Sequence, residues 1–131
     1  MLTNNLLVLK KTLFVLALCW TVLIAFLCLV KFGKLPNIPV SGADKYVHFT
    51  FHFVFTFLWG CYVWTKNKSA ELKPIIKVSL VSFGYGIVIE FLQETFTTTR
   101  HADVFDVMAN TAGALTALAI FFWMKKQKKY Q

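Results

Sequence analysis

Thr12–Val30, TLFVLALCWTVLIAFLCLV, is a run of nineteen residues without a charge, bounded by Lys10-Lys11 and Lys31. At about 1.5 Å of helical rise per residue it measures roughly 28 Å, enough to cross the hydrocarbon core of a bilayer. A signal peptide also opens on basic residues, but its apolar stretch covers about 7–15 residues and ends at small side chains. Here Lys31, Phe32, Gly33 and Lys34 follow instead. The run is expected to be an uncleaved first transmembrane helix.

Three further apolar runs follow it. Pro36 and Pro39, between Gly33 and Gly42, cannot continue a helix and mark the first exposed loop. Tyr46–Trp64 is aromatic-rich and interrupted by His48 and His52. The polar stretch Thr65–Lys73 ends at Pro74, which the first turn of a helix accepts because its missing N–H has no helical partner there anyway. Ile75–Gln93 forms the third run, with Lys77 close enough to its start to snorkel back to the headgroups. Val104–Met124 forms the fourth and leads into Lys125, Lys126, Lys128 and Lys129. The expected fold is all-α, a four-helix transmembrane bundle forming one domain over residues 1–131, with spans at about 12–30, 46–64, 75–93 and 104–124.

Composition excludes the main alternatives. With 57% hydrophobic residues, 15% charged, fourteen Phe and four Trp, the chain would overload a soluble core of this size. A small domain still exposes roughly 40% of its unfolded-chain surface, and here that surface must face something apolar. The net charge of +8 comes in short tracts between apolar runs, which excludes a nucleic-acid-binding patch and suits anionic lipid headgroups. Cys19, Cys28 and Cys61 sit in apolar segments without metal-ligand spacing and read as small apolar fillers.

Four spans place both termini on one side. The N-terminus, second loop and C-terminus carry ten of the fourteen basic residues (Lys10, Lys11, Lys66, Lys68, Lys73, Lys77, Lys125, Lys126, Lys128 and Lys129), against Lys31, Lys34, Lys45 and Arg100 opposite. Cytoplasmic loops are enriched in Lys and Arg, so both termini are expected in the cytoplasm. Ala109, Gly113 and Ala117 at i, i+4, i+8 would let another helix approach closely, and Ser82, Gly84 and Gly86 could do the same on the third span.

Five of the six acidic residues (Asp44, Glu90, Glu94, Asp103 and Asp106) map to the non-cytoplasmic ends of spans two, three and four. A carboxylate in hydrocarbon costs a few kcal/mol, so this grouping calls for mutual partners or a ligand. Asp44 and His48 are i, i+4, with His52 one turn deeper; Glu90 shares a face with Gln93 and Glu94; Asp103, Asp106, Asn110 and Gly113 follow one helical stripe. Three polar stripes are expected to converge. His52 and His101 are assigned no site role.

These residues resemble the VanZ-like membrane proteins, a family named for a component of glycopeptide-resistance clusters linked to teicoplanin resistance. The matching pieces are Asp44-Lys45-x-x-His48-Phe49, Glu90-x-x-Gln93, and Arg100-x-x-Asp103-x-x-Asp106-x-x-x-Asn110-x-x-Gly113, in that order. They cover roughly Asp44 to Ala114. The resemblance implies a multi-pass protein of the bacterial cytoplasmic membrane whose functional cluster is Asp44, Lys45, His48, Glu90, Gln93, Arg100, Asp103, Asp106 and Asn110.

Two functions fit such a cluster. In the first, an outward-facing polar pocket binds an envelope lipid, a lipid-linked precursor or a lipophilic glycopeptide antibiotic, with Arg100, Lys45 and protonated His48 on phosphate and Asn110 and Gln93 on neutral groups. The surplus of carboxylates suits bare phosphate poorly. In the second, a divalent cation held by Asp44, His48, Glu90, Asp103 and Asp106 bridges to a lipid phosphate and activates a water, which would make the protein an enzyme. The simplest alternative is a membrane scaffold in which the polar groups satisfy one another without a ligand.

Overall fold

The computed structural model describes residues 2–30, 42–67, 71–96 and 103–128. Four helices result: α1 (Leu2–Leu29), α2 (Ala43–Lys66), α3 (Lys73–Phe96) and α4 (Val104–Lys128). Each is long and apolar enough to cross a membrane. The helices run past the expected spans at several ends, because neither lysines nor polar residues break a helix. α1 in particular begins ten residues before Thr12, carried by Leu6, Leu7, Val8 and Leu9. Pro74 occupies the first turn of α3, as its chemistry requires. The loop built on Pro36 and Pro39, and with it Lys31 and Lys34, lies outside the described residues.

Polar and apolar residues are distributed opposite to the pattern of a soluble protein. Large apolar side chains line the exterior, with Val22 60%, Leu80 65% and Phe91 66% exposed. The interior holds His48, His52, Thr56, Ser79, Ser82, Glu90, Gln93, Asp106 and Asn110 beside a core in which Ile24, Cys28, Phe55 and Ile89 cluster. Exposed apolar surface on this scale requires an apolar solvent, whereas the polar groups find partners only between helices.

α2 occupies the centre. No residue from Phe51 to Gly60 is exposed, and the helix packs on α1, α3 and α4, most extensively on α4. The approach of α2 to α4 depends on two glycines. A Cβ on Gly113 would run into the carbonyl oxygen of Phe49 and come within 2.9 Å of the Phe53 amide nitrogen. A Cβ on Gly60 would strike the Phe121 ring. On α3, a Cβ on Gly86 would lie 2.9 Å from Asn110 Nδ2, whereas Gly84 has open space around it. The small-residue seams expected on α3 and α4 therefore form at Ser82, Gly86, Gly113 and Ala117, and Gly84 faces outward.

The phenylalanines of α2 divide by helical period. Phe49, Phe53 and Phe57 stack at i, i+4 spacing, with centroids 6.3 and 6.1 Å apart, while Phe55 turns inward and stacks on Tyr85 at 5.5 Å. α1 is tied on by polar anchors that reach otherwise apolar helices. Trp20 Nε1 donates to Phe51 O at 3.0 Å, Tyr85 Oη donates to Thr21 O at 2.7 Å, and Gln93 Nε2 donates to Cys28 O at 3.0 Å. These contacts, with Lys45 beside Asp103, bring the C-terminal ends of α1 and α3 and the N-terminal ends of α2 and α4 to one end of the bundle.

Candidate functional site

At that end the expected polar stripes meet. Asp103 directly precedes α4 and caps it: its Oδ1 accepts the Phe105 amide at 2.8 Å, satisfying one of the amides a helix start leaves unpaired. The Phe105 amide and the Lys45 ammonium together hold the Asp103 carboxyl below the usual carboxylate range. α2 begins at a left-handed glycine, Gly42 (φ 81°), which leaves Asp44 and Lys45 in its first turn. Lys45 Nζ then reaches three carboxylates on two helix starts: Asp103 at 3.0 Å, Asp44 at 3.2 Å and Asp106 at 3.5 Å. This outer group is partly exposed.

One turn deeper, His48 sits between α3 and α4 and is 4% exposed. Its Nδ1 shares a hydrogen bond of 3.2 Å with Asn110 Oδ1 and lies 3.6 Å from Glu90 Oε1, while its Nε2 lies 3.6 Å from Asp106 Oδ2. Because α3 runs antiparallel to α4, Glu90 near the end of α3 also meets the start of α4, where its Oε2 accepts the Asp103 amide at 3.4 Å. Glu90 Oε1 and Asn110 Nδ2 are buried without a hydrogen-bond partner among the described residues. One ligand atom from each of His48, Glu90 and Asp106, or from each of Asp44, Asp103 and Asp106, falls within 4.8 Å of the others in its set.

Asp44, Lys45, His48, Glu90, Asp103, Asp106 and Asn110 are therefore brought together. Gln93 is buried on α3, and its amide nitrogen donates to the Cys28 carbonyl on α1, which makes it an anchor for that helix. Glu94 is exposed at the rim. Arg100 and His101 lie outside the described residues. Beneath the cluster His52 is buried at 1% exposure, with its Nδ1 2.9 Å from Ser82 Oγ. This pair carries the polar seam further into the bundle, and the i, i+4 spacing of His52 from His48 was the signal for it.

A groove of about 220 Å³ opens sideways from the cluster between α3 and α4. Ile87, Phe91, Val104 and Val107 supply its apolar walls, and Glu90, Glu94 and Asp103 its polar end. A larger apolar cavity, about 520 Å³, lies among α1, α2 and α3 near Trp59 and Lys77, toward the other end of the bundle.

An uncharacterized protein of Schizosaccharomyces pombe is 31% identical to the chain over 96 residues, which is 73% of this chain and 57% of that protein. The chain thus spans a little over half the length of this curated relative. No solved structure matches it significantly. The VanZ/LLP1 family model matches residues 4–125, all four helices included. On that match, with four helices each able to cross a membrane, the chain belongs to the VanZ/LLP1 family and is a multi-pass integral membrane protein.

Proposed function

We propose that the cluster at the N-terminal ends of α2 and α4 is the binding site for an amphiphile of the bacterial cytoplasmic membrane, an envelope lipid or a lipophilic glycopeptide antibiotic of the teicoplanin type. The site then faces outward, with both termini in the cytoplasm, as the excess of Lys at the opposite end of the bundle favours. The observation that carries this reading is the lateral groove between α3 and α4, whose apolar walls end at Glu90, Glu94 and Asp103. An acyl chain lying against Ile87, Phe91 and Val107 delivers its headgroup to charged side chains without leaving the membrane. Lys45 offers a cation for phosphate and the surrounding carboxylates accept from amines or hydroxyls, so a headgroup bearing both signs fits best.

Native mass spectrometry of the chain purified in mild detergent tests the reading. Wild type is expected to retain lipid, and Val107→Trp, which fills the groove, to lose it, while Leu16→Trp on the outer face of α1 retains it. Equal retention in all three chains would remove the groove as a binding site.

A further inference from the structure

The cluster consists of two parts with different electrostatics. In the outer part, the Lys45 ammonium lies among Asp44, Asp103 and Asp106, so a cation is already present. The inner part, His48, Glu90 and Asp106, is buried and has none of its own among the described residues.

A neutral imidazole carries one N–H and one bare nitrogen. Both nitrogens of His48 face carboxylate oxygens, Glu90 Oε1 and Asp106 Oδ2, each at 3.6 Å. Whichever neutral tautomer is present, one lone pair therefore opposes a carboxylate oxygen inside the bundle. Among the described residues no further cation stands beside these groups. Asn110 also claims Nδ1, Lys45 is engaged with the aspartates, and Glu90 Oε1 has no hydrogen-bond partner among the described residues although the residue is 96% buried. A charge-assisted hydrogen bond would be about 2.7–2.9 Å, well under the observed separations.

We propose that a divalent cation binds between His48, Glu90 and Asp106. Two ligands at about 2.2 Å from one ion, about 110° apart, lie roughly 3.6 Å from each other, which is the separation of His48 Nε2 from Asp106 Oδ2, and Nδ1 is left to donate to Asn110 Oδ1. The three ligand atoms fall within 4.8 Å, close to the roughly 4.4 Å between opposite ligands on one ion. Two carboxylates balance the ion's charge, and one imidazole with two carboxylate oxygens suits manganese or zinc. Asp106 serves both halves of the cluster, with Oδ1 toward Lys45 and Oδ2 toward the ion. The remaining coordination positions go to water or to a headgroup oxygen. The inference deepens the amphiphile-binding reading and rests on it for that last ligand; the ion's three protein ligands stand without it.

Titration of the purified chain with Mn²⁺ in neutral detergent, with no lipid added, tests the proposal through loss of the free-ion resonance signal. The expected result is one ion per chain, displaced by Zn²⁺, with affinity at least about tenfold weaker in Glu90→Gln and in Asp106→Asn and unchanged in Glu71→Gln. Pulsed resonance on wild type should show nitrogen coupling from one imidazole, a readout that needs no variant to fold. Absence of binding at millimolar Mn²⁺, binding undiminished in both folded variants, or no nitrogen coupling overturns the proposal. Lipid retention by wild type and its loss in Val107→Trp would then still support the groove. Ion binding in a chain that retains no lipid supports the ion site and removes the amphiphile reading.

Discussion

His48 of α2 and Asn110 of α4 meet 3.2 Å apart at the floor of the acidic cluster, a contact spanning sixty-two residues of chain. Asn110 is 1% exposed, so removing its amide leaves an imidazole nitrogen with one partner fewer inside the bundle. Asn110→Ala is expected to destabilise the chain by about 1–2 kcal/mol, within the range for interhelical hydrogen bonds in membranes and for buried polar groups deprived of a partner. Thermal unfolding in detergent, followed by circular dichroism, measures this. No loss of stability would mean that the pair contributes nothing to holding α2 on α4.

Gly113 and Gly84 should behave oppositely. A Cβ at Gly113 meets the backbone of Phe49 and Phe53, which cannot rotate away as a side chain could, so Gly113→Ala must separate α2 from α4. A loss of about 1–3 kcal/mol is expected, as for overpacked cores. Gly84 is exposed with nothing within 4 Å, and Gly84→Ala should be neutral or slightly stabilising through helix propensity. Comparing the two melting temperatures checks the seam directly.

Lys45 is the cation of the outer cluster and is partly exposed, so its ion pairs are weakened by solvent. Lys45→Gln is expected to change stability little, because solvent screens its ion pairs. It should also tighten Mn²⁺ binding, because a positive charge 3.5 Å from Asp106 Oδ1 is removed. Weaker ion binding in this variant would show that Lys45 positions Asp106 rather than competing for it.

Asp103 sets a pH dependence of known sign. Its carboxyl is held below the usual range in the folded chain by the Phe105 amide and Lys45, so its contribution is complete above the unfolded value and lost as pH falls through the folded one. The difference in melting temperature between wild type and Asp103→Asn should be constant above about pH 5 and shrink toward pH 3. The comparison reads the Asp103 carboxyl together with its partners, the Phe105 amide and Lys45. A gap that widened on acidification would contradict the capping role.

Much of this was legible in the residues themselves. Apolar runs of about nineteen residues or more between polar tracts announce spans because backbone polar groups in lipid must be satisfied within a helix. The spacing of Asp103, Asp106 and Asn110 likewise announces one polar stripe, because the helical period alone sets it. Gln93 was harder to read. It shares a helix face with Glu90, yet its amide reaches Cys28 on α1, because a buried face on α3 is divided between two neighbouring helices. His52 stands outside the family's motif pieces; its spacing from His48 pointed to the deeper part of the seam, and its contact with Ser82 supplies the partner.

The order of apolar and polar residues along this chain determined by itself how many helices form and which residues share a stripe, since each depends on rise and period within one segment. Only the tertiary structure decided that α2 takes the centre, that Gly113 rather than Gly84 lies at a seam, and that both nitrogens of His48 come to face carboxylates. Those outcomes depend on how each helix rotates about its axis and on which neighbour its small residues admit. Close packing between helices sets both, and no property of a single segment specifies them.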